Sequence, residues 1–543
     1  MFDDEEQPLD RRSLISRGGA LLGTCLLASA GGPLLAKEPQ KYIPHPYFDV
    51  KTYGATGKRA DNATKAFRDA IDACSTRGGG TVNVPPGDFT VGKVELKDNV
   101  TLHLEAGATL FLSQLKDDFG SGPRAMIFAE NRKNIAVTGN GTLDGLAQYD
   151  YTEMQGLDVD ISEEIEIAKK SGMDMRRYYR KKTALNAYMF VINDCIDFSL
   201  LGVTITHSPL WTVKLSDCDR VFIRGVHIYS DLEKGVNADG IDICSSSNVT
   251  ISDSVIETAD DSIVLKTISR KGKPARPIEN VTVTNCILTS SSTPLMIGTE
   301  TEANIRHVLF NNCVIRNSNK GFGINVQDGA TVSDVVISNL TIETNRRHWN
   351  WWGSAEMCKI VLLKRHKNSP LGRIHNVLVQ NIVAHTRGTS IIAGHEEQPI
   401  ENISITNVKI IMNTEDAKDK RATHAFQIGS LQKLRIRDLS VEWDLEAEPK
   451  WKSALVLKNV SDFVIDSFWG RQGLAKGTDP AVLVEDCQDG AVIDSKASDG
   501  TGTFIHIKGN STAVKVRYCD TEKAVQAVSF ENESLRKGVR IIG

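Results

Sequence analysis

From about residue 190 the chain repeats one short phrase: alternating apolar and polar residues, a Gly, Asn or Asp corner, then a second alternating run. The clearest copies are Asp197–Ile205, Arg220–Ile228, Asn248–Ile256, Asn280–Leu288, Arg306–Ile315 and Asp334–Ile342. Weaker copies open at Asn376, Asn402, Lys433, Asp462 and Ala513. Period-two alternation predicts short strands. Asn and Gly suit the corners because they adopt left-handed backbone at low cost. So short a unit cannot bury its apolar face alone, so copies must stack. The expected fold is all-β: a right-handed, single-stranded parallel β-helix whose coils lie about 4.8 Å apart. A β-sandwich would show hairpin turns instead of one recurring strand-corner-strand phrase.

Ahead of the coils, Phe67, Ala70, Ile71 and Cys74 fall on one apolar helical face, and Gly78-Gly79-Gly80 follows. This predicts an N-terminal helix that caps the open end of the stack. Residues 146–182 are charged and lack the repeat. They are expected to leave the stack near one end of the cleft, with helix over Glu163–Arg180. The coils after about residue 430 carry weaker patterning and extend the stack.

Net charge is −4, so no basic footprint points to nucleic acid. The ten cysteines include no C-x-x-C pair, which disfavours zinc and redox sites. Asp194-Cys195-Ile196, Asn285-Cys286-Ile287 and Asn312-Cys313-Val314 place cysteine at a recurring position, as expected of small buried residues in a stack. Asp10-Arg11-Arg12-Ser13-Leu14-Ile15 precedes an apolar run from Gly18 to Leu35 that is short for a membrane span. Residues 1–36 are therefore expected to be a twin-arginine export signal. That leaves a β-helix domain over 37–543, exported to the periplasm or beyond, with no membrane contact in the mature form. The domain is expected to act as a monomer.

The candidate chemistry lies mid-chain. Asn237-Ala238-Asp239-Gly240-Ile241-Asp242 is followed by Ala259-Asp260-Asp261-Ser262-Ile263. Asp239 and Asp261 are 22 residues apart, about one coil, so winding would bring Asp239, Asp260 and Asp261 together. Convergent carboxylates supply the protonated acid and ionised base that glycosidic hydrolysis needs. Adjacent Asp260 and Asp261 can share a face only if the backbone bends there. Crowding by like charge should raise the pKa of one of the three carboxyls, which then stays protonated as the acid.

These motifs also carry a resemblance. Phe48–Gly57 and Val84–Phe89 resemble the opening of pectin-lyase-like β-helices. Ser208-Pro209-Leu210-Trp211-Thr212, taken with the two acidic motifs, resembles glycoside hydrolase family 28, the polygalacturonases and rhamnogalacturonases, over about residues 46–345. The resemblance implies an inverting hydrolase, with Asp260 as general acid and Asp239 and Asp261 activating water. It implies carboxyl separations of about 6.5–9.5 Å, to be reached by one coil step plus a lateral offset. Two departures stand out. Thr293 occupies the place of the family's histidine, and where the family has Arg-Ile-Lys, which binds the carboxylate of galacturonan, the chain reads Gly321-Phe322-Gly323-Ile324-Asn325, without either cation. The expected substrate is therefore a pectic or related polysaccharide other than plain galacturonan.

Asn237 and Asp242 from the first motif, with Lys266, Glu300 and Arg316, are candidate substrate contacts; Arg346 is a further candidate cation. Trp349, Trp351 and Trp352, with Glu356, suit a subsite wall that stacks on sugar rings. No metal or cofactor is expected. Two other readings stay open: a Ca²⁺-dependent β-helix lyase using Asp239, Asp242, Asp260 and Asp261 as ligands, and a non-catalytic glycan-binding β-helix.

Overall fold

The computed structural model describes residues 47–154, 166, 168–173, 177–181, 184–270, 272–347 and 352–542. The proposed export signal and two of the three loop tryptophans, Trp349 and Trp351, lie outside these residues.

The first residue of each repeated phrase turns the chain. Asp197, Arg220, Asn248, Asn280, Asp334, Asn376, Asn402, Lys433, Asp462 and Ala513 all hold left-handed backbone, with φ between 51° and 63°. In the copy beginning at Arg306, the turn falls on His307 (φ 56°). Corner side chains stack from coil to coil: Asn280 Nδ2 donates to Asn248 Oδ1 at 2.9 Å, and Asn402 Nδ2 to Asn376 Oδ1 at 2.7 Å. These asparagine corners are thus tied to their neighbours on adjacent coils.

The strands pair in parallel along the whole stack. Among the described residues, the one antiparallel strand pair is Tyr151–Met154 with Arg177–Arg180. The chain winds as the expected right-handed parallel β-helix. Its interior is made of like residues in register: Ile205, Ile228, Ile256, Leu288, Ile315 and Ile342 form one buried line. The described cysteines are free thiols, nearly all buried. Helix α1 (Thr64–Thr76) buries Phe67, Ala70, Ile71 and Cys74 against the first coil. The coils continue in parallel to the strand Val539–Ile542.

The 146–182 excursion differs from expectation. Arg177–Arg180 is a strand, not helix, and the described helical residues there are 166 and 168–170. Paired tyrosines at 178 and 179 favour a pleated ribbon over a helix. Lys234 rests on the Tyr178 ring at 5.3 Å, so the excursion touches the loop leading to Asp239. No helix among the described residues is long and apolar enough to cross a membrane.

Candidate active site

Six strands stack on one face: β1 (Val213–Ser216), β2 (Ile241–Cys244), β3 (Ile263–Thr267), β4 (Leu295–Thr301), β5 (Lys320–Val326) and β6 (Glu356–Leu362). Val213, Ile241, Ile263, Leu295 and Phe322 are aligned in register and point inward. Two residues ahead of them runs a second line: Trp211, Asp239, Asp261, Thr293 and Lys320, with Glu356 paired to Lys320 on the last rung. Backbone bonds continue this register ahead of the strands. Thr212 N donates to Asp239 O, Gly240 N to Asp261 O, and Ser262 N to Thr293 O.

Strict alternation would send Asp239 and Asp261 inward, since each lies two residues before an inward isoleucine. The backbone bends just before the strands, at Gly240 and Ser262, and turns them out. Gly240 is required there, because a Cβ would lie 2.3 Å from Ser262 O. Buried hydroxyls fix the second bend: Thr258 Oγ1 and Ser290 Oγ each donate to Asp260 O at 2.8 Å. Ser230 ties the two acidic turns together, accepting from Ala259 N at 2.9 Å and donating to Ala238 O at 3.3 Å.

Asp239, Asp260 and Asp261 consequently converge, each offering an oxygen within 4.8 Å of the others. Asp239 and Asp261 stack in direct register, one coil step apart. Asp239 and Asp260 are 2% and 7% exposed, while Asp261 is only partly buried.

The three carboxylates differ in surroundings. Burial raises the Asp260 pKa well above the usual carboxylate range, and Asp239 and Asp261 push it the same way. Asp261 is pushed up to about 6 by burial and by Asp239, against the pull of Lys266 and Lys320. Its Oδ1 accepts from Ser292 Oγ at 2.9 Å and Thr293 N at 3.1 Å. Asp239 Oδ2 accepts from Lys266 Nζ at 3.1 Å, while its Oδ1 has no hydrogen-bond partner. Burial works against the Lys266 charge, but Asp239 and Asp242 outweigh it and hold the ammonium protonated.

The remaining sequence candidates separate. Lys266 belongs to the cluster, bridging Asp239 and Asp242 (2.9 Å) and lying 4.0 Å from the centroid of the Trp211 ring. Asp242 is fully buried, which makes it an anchor for Lys266 instead of a sugar contact. Asn237 is exposed in the turn before Asp239, with φ 57°. Glu300 lies in a bulge of β4 opposite Lys266 and acts on its charge. Arg316 sits on a neighbouring line and pairs with Glu257 at 2.8 Å. Arg346 is buried against Asp419 and Glu415, away from the acids. Trp352 is partly exposed, and its carbonyl accepts from Asn319 Nδ2 at 3.0 Å. Glu356 is buried beside Lys320, not on an open wall.

Sequence reasoning passed over Lys320 and used Trp211 only as part of a motif. Both stand two residues before an inward apolar residue, as Asp239 and Asp261 do, and strand pairing rather than a fixed period aligns them.

A parallel β-helix with clustered carboxylates turned out on one face has the make-up of a polysaccharide-cleaving enzyme. The family model described as glycosyl hydrolases family 28 matches residues 74–420, and the chain belongs to that family. The match runs beyond the stretch recognised from motifs. The chain is 25% identical over 300 residues to an exo-poly-alpha-D-galacturonosidase of Dickeya chrysanthemi, covering 48% of this chain and 49% of that protein. It is 30% identical over 225 residues to an exopolygalacturonase of Zea mays, covering 40% and 48%. The chain spans about half the length of the curated relatives it matches. Among solved structures, the family 28 exopolygalacturonase of Yersinia enterocolitica aligns with TM-score 0.61 at 18% identity, over 77% of this chain and 78% of that one. The hyperthermoactive exopolygalacturonase of Thermotoga maritima aligns with TM-score 0.55 at 23% identity, over 68% and 88%. At these identities the structural likeness bears on fold alone.

Proposed function

We propose that this protein is an exported, inverting O-glycoside hydrolase of a pectic polysaccharide. The observation that carries the reading is the convergence of Asp239, Asp260 and Asp261 within 4.8 Å, with one of them held protonated by its surroundings. Asp260 donates its proton to the glycosidic oxygen as the bond to the anomeric carbon breaks. Asp239, through its unpartnered Oδ1, and Asp261 hold a water and take its proton as it attacks the opposite side of the sugar. Lys266 neutralises charge at the floor of the cluster.

One other reading has a specific observation behind it. Three carboxylates could also ligate Ca²⁺ in a lyase, but Lys266 already supplies a cation to Asp239 and Asp242.

The relatives' names point to galacturonan chains, and we propose that a bare galacturonate is not what the groove prefers. Val264, Met296 and Gly323 form one line on the outer face of β3–β5. These three residues are uncharged, and a side chain at Gly323 would press on Met296 Sδ at 2.8 Å; the same line continues into Asp242 and Lys214 on one flank and Lys359 on the other. The protein would leave the cytoplasm by the twin-arginine route and act as a monomer.

The test is product NMR on galacturonan, rhamnogalacturonan and neutral pectic side chains. An inverted anomer from a substrate preferred over galacturonan supports the reading. A retained anomer reassigns one carboxylate as nucleophile, and an unsaturated product absorbing in the ultraviolet establishes the lyase.

A further inference from the structure

Lys320 is 7% exposed, stands in the line of Asp239 and Asp261, and has no part in the mechanism above. A buried lysine costs stability unless its charge is compensated. Its Nζ donates to Thr293 Oγ1 at 3.3 Å, one rung toward the acids. Gly353 closes over its stem from the far side: a Cβ there would lie 2.7 Å from Lys320 Cγ and 2.8 Å from Cε, and the backbone has φ 127°. The stem is therefore confined and the ammonium faces back along the line. The charged groups acting on it are Glu356 and Lys359 from β6, and Asp261 and Asp260 from the bend before β3. The turn before β4 contributes only uncharged Ser292 and Thr293.

The geometry points to a positioning role: Lys320 is a fixed positive charge, presented through Thr293, that keeps Asp261 ionised beside a protonated Asp260 and so sets the lower pH limit of hydrolysis. This rests on the roles given above to Asp260 and Asp261. The selectivity follows from register. Thr293 bonds to Asp261, both directly through its amide and through its place on the next rung, whereas the forces on Asp260 come first from burial, Asp239 and Asp261. Lys320 is among the groups that draw Asp261 down toward about 6. Burial lowers the pKa of Lys320 itself, and Glu356 opposes that.

The experiment compares wild type, Lys320→Met, Lys320→Arg and Thr293→Val by pH profile of kcat/KM and by carboxyl-stretch infrared titration, with Asp261→Asn identifying the Asp261 band. Melting temperature checks that each variant folds. In Lys320→Met the acid limb and the Asp261 band are expected to move up together by about one pH unit, a loss of about tenfold at pH 5. Lys320→Arg should restore both, and Thr293→Val should move both the same way by less. An unmoved limb and band in Lys320→Met overturn the role of Lys320, even if Asp260→Asn is inactive and the hydrolase reading stands. If no glycan is cleaved, the hydrolase reading falls, and the infrared titration still decides whether Lys320 controls Asp261.

Discussion

Replacing Lys266 with Met should damage stability and activity by separable routes. Lys266 is 6% exposed, and its ammonium bridges two carboxylates, at 3.1 Å from Asp239 and 2.9 Å from Asp242. Met preserves the volume and removes the charge, leaving two buried acids without a cation between them. Breaking a buried pair by deleting one partner costs about 3–5 kcal/mol. For a chain of 543 residues, an unfolding entropy of about 1 kcal/mol/K turns that into a fall of about 3–5 °C in Tm. The two acids would then share a proton, as facing carboxylates do, and hydrolysis should fall by about a hundredfold or more. Differential scanning calorimetry and initial rates on the preferred pectic oligosaccharide read the two effects. Adding Asp242→Asn removes one stranded charge, so the double variant should regain most of the lost Tm without regaining activity. A Lys266→Met protein with unchanged Tm and a rate within about threefold of wild type would refute the bridging role.

Asp260→Asn should lower kcat by about 10²–10⁴-fold while leaving Tm level or raised, since it removes a crowded buried acid; unchanged activity in a steady-state assay would favour a glycan-binding protein. The wild-type kcat/KM profile should rise as pH passes about 6, where Asp261 gives up its proton, and fall again at higher pH as Asp260 loses the proton it must donate. Removing divalent ions with a chelator should leave the rate unchanged, and loss of activity that only Ca²⁺ restores would favour the lyase. Ser230→Ala should cost about 1–3 kcal/mol, by freeing the buried Ala259 amide and the bond to Ala238 O, and should reduce kcat more than KM rises, because the acidic turns lose their shared pin.

Much of the fold was legible because each coil repeats the same local physics. The residue that opens each phrase, such as Asn248, Asn280 or Asp334, takes the left-handed turn, and the apolar residues that follow point inward. The acid cluster was legible for the same reason: Asp239 and Asp261 are one uninterrupted coil apart. The rest of the line was not. Its spacing swells from 22 residues between Asp239 and Asp261 to 36 between Lys320 and Glu356 as loops intervene, so no fixed period aligns Lys320 with the acids. Replacement cations were sought at Lys266, Arg316 and Arg346; Lys266 reaches the acids, whereas Arg316 and Arg346 pair elsewhere. Glu356 was grouped with a tryptophan-rich loop by proximity in sequence, whereas pairing with β5 buries it. Asp242 was read as reaching sugar because its motif is acidic, yet its carboxylate is turned to Lys266.

The line from Trp211 to Glu356 behaves like a graduated scale. Moving one coil shifts a side chain by a fixed increment of about 4.8 Å along the stack. Exchanging residues at successive rungs would therefore move a charge, a ring or a hydroxyl past the scissile bond in uniform steps, and a family of such variants would map the reach of each group on a bound sugar chain.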